Sequence, residues 1–449
     1  MREKGIRFFI LLVFLVIFSA PLHAQEISYD RYAPVWTEGP LKEKPSPTQE
    51  ALGSFGKHFL VYPFELVRWP VDKTLVFVED YHLYDKVDWI YEQMKNRGFT
   101  PRIRSLAGGD GFGGGFDIDF TRLTGLKETH PNFTFRNSNL WTLDHITDHQ
   151  LKIKQERIAG TGLFLGSHLQ YENRGEEHFY GIGPDTSLGD GTSYRLERTA
   201  LALPLGYELS DTWKWSGKFT YENVNITNGE DGGRGIIDEI FVATGRQRVP
   251  GLGGDEILSW GTDLEHDNRN NKDFPTQGGY QRLHFSYHKG MDSNTGFFRY
   301  RGEMAHFFPL FSERRVLALR GVVEHNDEAG DRDVPFFQMA RLGGYGTYPR
   351  LGDTHRGFRR DRFYDESEIL FNAEYRWTVW EYREWRMDSV FFWDVGQVFG
   401  EWSDFQFKDF EGSYGIGFRV GFEGNIIISL EWARSHEGMQ FYVKTKAPF

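Results

Sequence analysis

Most of this chain consists of short segments in which apolar and polar residues alternate. One face of the segment 368–378 carries Ile369, Phe371, Tyr375 and Trp377, and the other carries Glu374, Arg376 and Thr378. The same alternation places Leu201, Leu203, Leu205 and Tyr207 on a single face. Successive side chains of a strand point to opposite faces, so this pattern predicts strands that meet different surroundings on their two sides.

Two features of the alternating segments favour a membrane barrel over a soluble β-sandwich, which also alternates. The polar face carries charge on nearly every segment, and the apolar face is rimmed with Trp, Tyr and Phe. Segments of about ten residues with this pattern are typical of strands that face lipid outside and a wet lumen inside. A mean hydropathy of -0.53 agrees with a polar lumen.

The alternation predicts sixteen strands, an even number, as single-chain bacterial barrels require. They lie near 100–106, 112–121, 138–146, 150–158, 162–172, 194–209, 213–226, 256–266, 278–289, 296–308, 314–325, 368–380, 387–398, 413–422, 426–435 and 439–446. The chain ends in Phe449, and a terminal aromatic residue on a final strand is typical of bacterial outer-membrane barrels. We therefore predict an all-β fold, a transmembrane antiparallel β-barrel of about 16 strands over residues 99–449, preceded by a short helical and linker segment.

The first residues predict export. Arg2, Lys4 and Arg7 precede an apolar run from Phe8 to Phe18, and small Ala24 follows a few residues later. This is the layout of a secretory signal peptide over residues 1–24. The alternative, a membrane anchor, is disfavoured because the apolar run is too short to span about 30 Å of hydrocarbon. Together with the barrel, the signal predicts a location in the bacterial outer membrane.

Residues 25–98 are predicted to form a periplasmic linker that contains one helix. The first part is polar and proline-containing, which disfavours regular structure. From Tyr81 to Arg97, apolar residues recur at helical spacing and predict an amphipathic helix. This helix could pack on the barrel or bind a periplasmic protein partner, and the sequence leaves both open.

Composition and motifs argue against several classes of function. A net charge of -12 disfavours a nucleic-acid binder. The chain lacks a Gly-x-Ser-x-Gly elbow, and the glycine-rich stretch 108–115 lacks the Lys-Ser/Thr of a phosphate loop and fits a hairpin turn instead. Its 15 histidines show no metal-ligand spacing, and it has no cysteine. We expect no enzyme, no catalytic residue, no cofactor and no metal.

The connection over 327–366 is far longer than most loops, and loops of this length are usually functional or disordered. Its apolar residues and glycines predict a packed path. On the next two strands, Glu374 and Asp394 are symmetric about residue 384, which predicts that they lie directly opposite each other on the lumen face. Two adjacent carboxylates require a cation between them, and Arg356 of the infolded loop is the candidate.

An ordered set of motifs resembles the BamA/TamA-type outer-membrane translocase and insertase superfamily, also called bacterial surface antigens. The set comprises HRGF at 355–358, NAEYRW at 372–377, FFWDVGQVF at 391–399, YGIGFRVGF at 414–422 and the terminal Phe449, with HFYGIG at 178–183 upstream. The resemblance implies a sixteen-stranded barrel with a loop folded into its lumen. In that loop an Arg-Gly-Phe motif pairs with acids on the next two strands.

Matched residue by residue, the resemblance implies a site made of the loop residues Arg356, Gly357 and Phe358 with Glu374, Asp394 and Gly396. His355 departs from the family pattern, which has an apolar residue before the arginine. The cluster either takes part in function or only locks the loop. A second departure is that residues 25–98 offer no complete POTRA domain, the periplasmic module of family members that assemble or transport proteins.

Two functions remain open at this point. One is assistance in the insertion or translocation of protein or lipid, with outer-membrane lipid, lipopolysaccharide and a periplasmic protein bound through residues 25–98 as partners. The alternative is a passive or gated pore, or a structural barrel, which is favoured by the predicted charges in the lumen. Those charges are Arg299, Arg301, Glu303, Arg320 and Glu324.

Overall fold

Sixteen antiparallel strands form one continuous sheet, in which each strand pairs with its neighbours along the chain. The computed structural model describes residues 83–104, 113–143, 145–229, 235–345, 354–422 and 424–449. The predicted signal peptide and most of the predicted linker lie outside these ranges. The chain divides into two units, 1–93 and 94–449.

The strands of the large sheet are β1 Phe99–Arg104, β2 Gly113–Asp119, β3 Phe133–Thr142, β4 Ile146–Gln155, β5 Leu163–Phe179, β6 Thr192–Glu208, β7 Trp213–Asn228, β8 Gly254–Asp267, β9 Gly278–Gly290, β10 Gly296–Leu310, β11 Ser312–Glu328, β14 Ser367–Tyr382, β15 Trp385–Phe399, β16 Glu411–Phe422, β17 Asn425–Ser435 and β18 Gly438–Lys444. A separate two-stranded sheet pairs β12 Ala340–Leu342 with β13 Phe363–Asp365. The helices are α1 Leu83–Asn96, α2 Phe120–Leu123 and α3 Leu126–Thr129.

Each of the sixteen predicted strands corresponds to a strand of the sheet, so the predicted all-β barrel architecture is confirmed. The largest shifts are at the end of β5, which continues to Phe179 beyond the predicted end at 172, and at the starts of β3 and β4, which begin at Phe133 and Ile146, before the predicted 138 and 150. Polar residues 137–139 break the apolar alternation there, so the pattern hides the first half of β3. Helix α1 falls within the predicted helix.

The two faces of the sheet differ as the alternation predicts. One face exposes large apolar side chains, among them Leu201, Leu203, Leu205, Tyr207, Trp213, Trp215, Phe371, Phe391 and Trp393. The other face buries charged and polar residues, including Arg320, Glu324, Glu368, Glu374, Asp394 and Arg419. This is the arrangement of a barrel with lipid outside and polar side chains in the lumen. None of the helices in the described parts of the chain is long and apolar enough to cross a membrane.

The connections at the two ends of the strands differ in length. One end has short turns, such as the single residue between β10 and β11 and the two residues between β14 and β15. We call this the short-turn end. The other end carries the connections 180–191, 229–253, 329–366 and 400–410, and we call it the long-loop end. In outer-membrane barrels the short turns face the periplasm and the long loops face outward.

An apolar cluster of buried side chains lies at the long-loop end of the sheet. It joins the ends of strands to two of the long connections, and we call it the apolar cap. Its members are Phe179, Tyr194, Leu196, Val224, Ile226, Ile237, Phe241, Val249, Ile257, Phe297, Val334, Phe336, Phe337, Met339 and Tyr364. The Phe336 ring lies edge-on to Phe179 and Tyr194, with centroids 5.3 and 5.1 Å away. Edge-to-face ring contacts of this kind hold the connections in a fixed position against the strand ends.

The end of the chain differs from the prediction. Strand β18 stops at Lys444, so Phe449 is not part of the final strand. Its ring packs near Tyr280 and Phe307, and Arg376 donates a hydrogen bond to its carbonyl oxygen over 3.0 Å. Pro448 cannot donate to a strand ladder, which explains why the pairing ends before it.

Candidate functional site: the lumen loop and its charged cluster

The connection between β11 and β14 is called here the lumen loop, and a short sheet joins its described parts, 329–345 and 354–366. The ladder of β12 and β13 brings its two halves together, and a bridge joins Gly344 to His355. Gly343 and Gly344 have φ of +132° and +69°, which favour glycine. A Cβ on Gly343 would collide with the backbone oxygen of Arg359. The glycines therefore allow the returning strand to pass close by.

The structure places Arg356 at the centre of the predicted acids, with its side chain fully buried. Its Nε and Nη2 atoms donate to the two carboxylate oxygens of Asp394, each over 2.7 Å. Its Nη1 donates to Glu374 over 2.6 Å and to Glu431 over 3.1 Å. The guanidinium also lies 3.6 Å from the centroid of the Phe392 ring. The planar fork of arginine is what allows one side chain to serve three carboxylates.

The prediction that Glu374 and Asp394 lie directly opposite each other is wrong. In the ladder, Glu374 pairs with Phe392, and Asp394 pairs with Asn372. The cause is a register shift between Thr378 and Trp380, together with a turn centred between residues 383 and 384. An irregularity of this kind has no clear sequence signal here. The acids nevertheless share the lumen face, because the offset is two residues and side chains alternate with a period of two.

The structure adds residues to the site that the sequence analysis did not name. Glu431 of β17 and Arg419 of β16 join the cluster, with Arg419 Nη2 2.8 Å from Glu374 and 2.7 Å from Glu431. Arg376 donates from Nε to Glu374 over 2.8 Å, and Asn372 donates to Asp394 over 2.9 Å. The missed signal was available, since Arg419 and Glu431 are charged residues on the polar faces of two predicted strands that alternate.

Three arginines and three carboxylates thus share one dry cluster: Arg356, Arg376, Arg419, Glu374, Asp394 and Glu431. Moving six charged groups out of water is costly, and their mutual attraction and hydrogen bonds offset that cost. Removing a single partner leaves an uncompensated buried charge, which strongly destabilises the fold. The cluster therefore holds the lumen loop in one position without being, by itself, a large source of net stability.

Gly357 needs to be glycine because of both its conformation and its surroundings. Its φ is +90°, and a Cβ would lie 2.9 Å from Ser413 Cβ and 3.1 Å from the carbonyl carbon of Arg434. Its N–H donates to Tyr442 Oη over 3.1 Å, and Ser435 Oγ donates to its carbonyl over 2.7 Å. The loop is thereby bonded directly to the last strands of the barrel.

The remaining predicted residues form an apolar support beside the charges. Phe358 is buried with Leu342, Phe363 and Leu370 in one cluster. A Cβ on Gly396 would lie 3.1 Å from Leu342 Cδ1, so glycine leaves room for the loop to seat on β15. His355, the departure from the family pattern, is fully buried, and its ring centroid is 4.6 Å from that of Phe358. It occupies the space of an apolar residue.

A second set of contacts ties the same loop to strands on the N-terminal side of the sheet. Arg360 donates to Glu177 of β5 over 3.0 Å, and Gln338 donates to Glu222 of β7 over 2.6 Å. Arg362 binds Glu437 and Thr186, with donor–acceptor distances of 2.6 and 2.7 Å. The lumen loop therefore connects β5 and β7 with β14–β18 across the lumen face of the sheet.

Two acids at the base of the lumen loop have raised pKa values. Burial is the largest cause, and it raises the pKa of Asp365 to about 6 and that of Glu366 to about 7, with the charges of Glu328 and Glu401 adding to the effect on Glu366. Both residues lie at the long-loop end, outside the barrel strands. A carboxyl that holds its proton in the fold but not in the unfolded chain makes the fold less stable as pH rises.

Glu366→Gln should therefore make the loop base more stable near neutral pH. An unfolded glutamate ionises near pH 4.3, so the destabilisation accumulates between about pH 4 and pH 7 in the natural chain and should be absent from the variant. Amide exchange of residues 363–368 at pH 5 and pH 8 measures the effect. Equal pH dependence in both proteins would contradict it, and Glu384→Gln in the β14–β15 turn serves as the control.

Within the described residues, no group of three or more histidines, aspartates or glutamates is arranged to hold a metal ion. Each charged group of the cluster forms an ion pair with another member of it.

Comparison with known proteins identifies the fold. BamA from Haemophilus ducreyi lacking POTRA domains 1–3 superposes with a TM-score of 0.55 at 16% identity, over 77% of this chain and 69% of that one. CdiB from Escherichia coli superposes with a TM-score of 0.50 at 10% identity, over 77% of this chain and 62% of that one. No curated protein is significantly similar in sequence.

Residues 111–423 match the sequence model of the Omp85 superfamily domain, which covers more than half of the chain. The match includes the lumen loop and both strands that carry the predicted acids. It confirms the resemblance found in the motifs, and it shows that this chain belongs to the Omp85 superfamily.

Proposed function

We propose that this protein assists the insertion or translocation of protein or lipid at the outer membrane of a Gram-negative bacterium. In this proposal residues 1–24 are a signal peptide that is removed on export, and residues 25–98 lie in the periplasm, where they bind a protein partner. Outer-membrane lipid and lipopolysaccharide surround the barrel. The proposal rests chiefly on the contrast between the locked C-terminal strands and the edge of the sheet beside them.

The lumen loop fastens the C-terminal strands to one another. Arg356 joins β14, β15 and β17, and Tyr442 of β18 accepts a hydrogen bond from Gly357 and donates one to Phe358. In the described residues, by contrast, no ladder joins β18 to β1. The last strand is therefore supported from inside the barrel, and it is the final strand of the sheet formed by the described residues. An edge of this kind is a template for pairing with another extended chain.

Cross-linking the edges of β1 and β18 should abolish activity if this seam is where the barrel works. The chain has no cysteine of its own, so cysteine pairs placed within 99–104 and 438–444 would be the only thiols present. We expect the oxidised protein to lose its contribution to envelope integrity and the reduced protein to regain it, because a disulfide prevents the edges from separating.

A matched control uses the same last strand. The pair Ala433→Cys and Gln440→Cys lies across the β17–β18 ladder, where Ala433 and Gln440 are register partners. Oxidation there should leave activity unchanged, because those strands are already joined. Full activity of a protein whose β1–β18 edges are demonstrably cross-linked would rule out a working seam.

A gated pore is the second candidate, and the charged lumen is the observation that favours it. Lumen-facing ion pairs such as Arg301–Glu324 and Arg320–Glu303 would suit a water-filled path. The apolar cap, however, lies at the long-loop end, so we expect rare and small openings in planar bilayers. A steady, large conductance would favour a pore over the insertion or translocation function.

A further inference from the structure

The arginines of the lumen are paired with acids, whereas several lysines are not. Arg174 lies 2.5 Å from Glu172, Arg198 lies 2.8 Å from Glu222, and Arg136 lies 3.5 Å from Asp119. On the same face of β4 and β7 are Lys152, Lys154, Lys214 and Lys218, which we call the lysine wall. Only Lys154 has an ion-pair partner among the described residues, Glu156 at 2.5 Å.

The register of the strands brings the lysine wall together. Lys152 pairs with His168 of β5, and Lys218 pairs with Pro204 of β6. Between them β5 and β6 present the Phe164 ring, which lies flat over Gly206, its register partner. Lys154 and Lys214 approach that ring from two strands, with their Nζ atoms 4.7 and 5.1 Å from its centroid. Two ammonium groups therefore lie over one aromatic ring, and Lys152 and Lys218 lie on the same face at neighbouring ladder positions.

The acids near the lysine wall are occupied elsewhere. Asp148 accepts hydrogen bonds from Gln150 and Gln170, over 2.7 and 3.0 Å. Asp263 accepts bonds from Arg282 and from His284. Glu208 lies opposite Lys214 in the ladder, but no ion pair joins the two in this part of the structure. Lys152 and Lys218 have no ion-pair partner within 4 Å among the described residues, and the nearby acids Asp148, Asp263 and Glu222 act on them from a greater distance.

The lysine wall is accessible from the short-turn end. Lys154 is one residue from the end of β4, and Lys214 is the second residue of β7. Lys152 and Lys218 lie farther along their strands from the short-turn end, and both are exposed to solvent. Elsewhere at this end the connection between β8 and β9 is seated against β15 and the β16–β17 turn: Phe274 lies under Arg386 at 4.4 Å, and Asn271 donates to the Gly424 carbonyl over 3.0 Å.

We propose that the lysine wall binds a phosphate-bearing ligand, namely an anionic lipid head group or a free phosphate compound. Lysine ammonium groups bind phosphate oxygens as compact point charges, without the planar geometry that an arginine pair requires. The buried Phe164 ring lies beneath Lys154 and Lys214 and supports their ammonium groups. This inference does not depend on whether the barrel moves protein or lipid.

The test compares two variants of the full-length protein in neutral detergent micelles. Lys152→Gln/Lys214→Gln/Lys218→Gln removes the three lysines of the wall that have no ion-pair partner among the described residues. Lys289→Gln/Lys408→Gln/Lys446→Gln removes the same number of charges from exposed positions elsewhere. Heat-modifiable gel mobility establishes that both variants are folded. The probes are inorganic pyrophosphate, phosphatidylglycerol added to the micelles, phosphatidylcholine as the neutral lipid, and a polyglutamate peptide.

We expect the natural protein to bind pyrophosphate or phosphatidylglycerol with strong salt dependence, and the wall variant to bind at least about tenfold more weakly, a loss of about 1.4 kcal/mol. The control variant should stay within about twofold of the natural protein. Binding of both phosphate probes would identify the phosphate group as the determinant, and binding of phosphatidylglycerol alone would identify a lipid head group. Binding of polyglutamate alone, an equal loss in the control variant, or no binding of either phosphate probe would overturn the proposal.

Discussion

Arg356→Gln should destabilise the barrel by about 3–5 kcal/mol, because it leaves Glu374, Asp394 and Glu431 facing two arginines instead of three in a dry site. Asp394→Asn should cost a similar amount, since it leaves an excess positive charge. The double variant restores neutrality, so its cost should fall well below the sum of the two single costs. Urea-dependent loss of the heat-modifiable gel band measures all three proteins.

An exposed arginine provides the control for this cycle. Arg314 lies 2.6 Å from Glu381, but its side chain is 56% exposed. Arg314→Gln should cost no more than about 1 kcal/mol, because water screens exposed ion pairs. Strict additivity of the two buried single changes would mean that Arg356 and Asp394 do not act as one unit.

The structure also indicates that a simple charge swap between the two residues should fail. In Arg356→Glu/Asp394→Arg, the new glutamate would face Glu374 and Glu431, the other acids that Arg356 contacts. Arg356→Lys is more informative, because it keeps the charge but cannot form the bidentate pair. If Arg356→Lys folds normally but envelope integrity falls, the cluster takes part in function. If folding and integrity fall together, the cluster only locks the loop.

Phe336→Ala should open the apolar cap and increase conductance. The side chain is fully buried among Phe179, Tyr194 and Phe337, and deleting a buried phenyl ring typically costs about 3–5 kcal/mol. The cap lies inside a barrel whose strands are held by their own ladders, so we expect local loosening of the lumen loop with the sheet intact. Single-channel recording in planar bilayers should show more frequent and larger openings than in the natural protein.

The control for the cap is Phe371→Ala on the lipid-facing side of β14, where the side chain is 49% exposed. That change should leave conductance unaltered. Phe336→Leu, which leaves a smaller cavity, provides a milder variant if Phe336→Ala does not assemble. Unchanged conductance in a folded Phe336→Ala protein would show that the apolar cap does not close the barrel.

The sequence by itself determined the strands and their two faces. Alternation has a period of two and is local, so runs such as 368–378 reveal both the strand and the side that faces the lumen. The motif around Arg356 likewise identified the loop arginine and two of its acids. The strands could be predicted because each depends on residues that are close together in the chain.

Only the tertiary structure decided which charges meet. Because of the register shift near Thr378, Asp394 pairs with Asn372 in the ladder and not with Glu374. No local sequence pattern indicates such a shift. Glu431 and Arg419 entered the cluster because β16 and β17 curve beside a loop that lies more than fifty positions earlier in the chain. Only the structure shows which lysines of β4 and β7 lack an ion-pair partner. Whether a charge is paired depends on side chains that are distant in sequence and adjacent in the sheet.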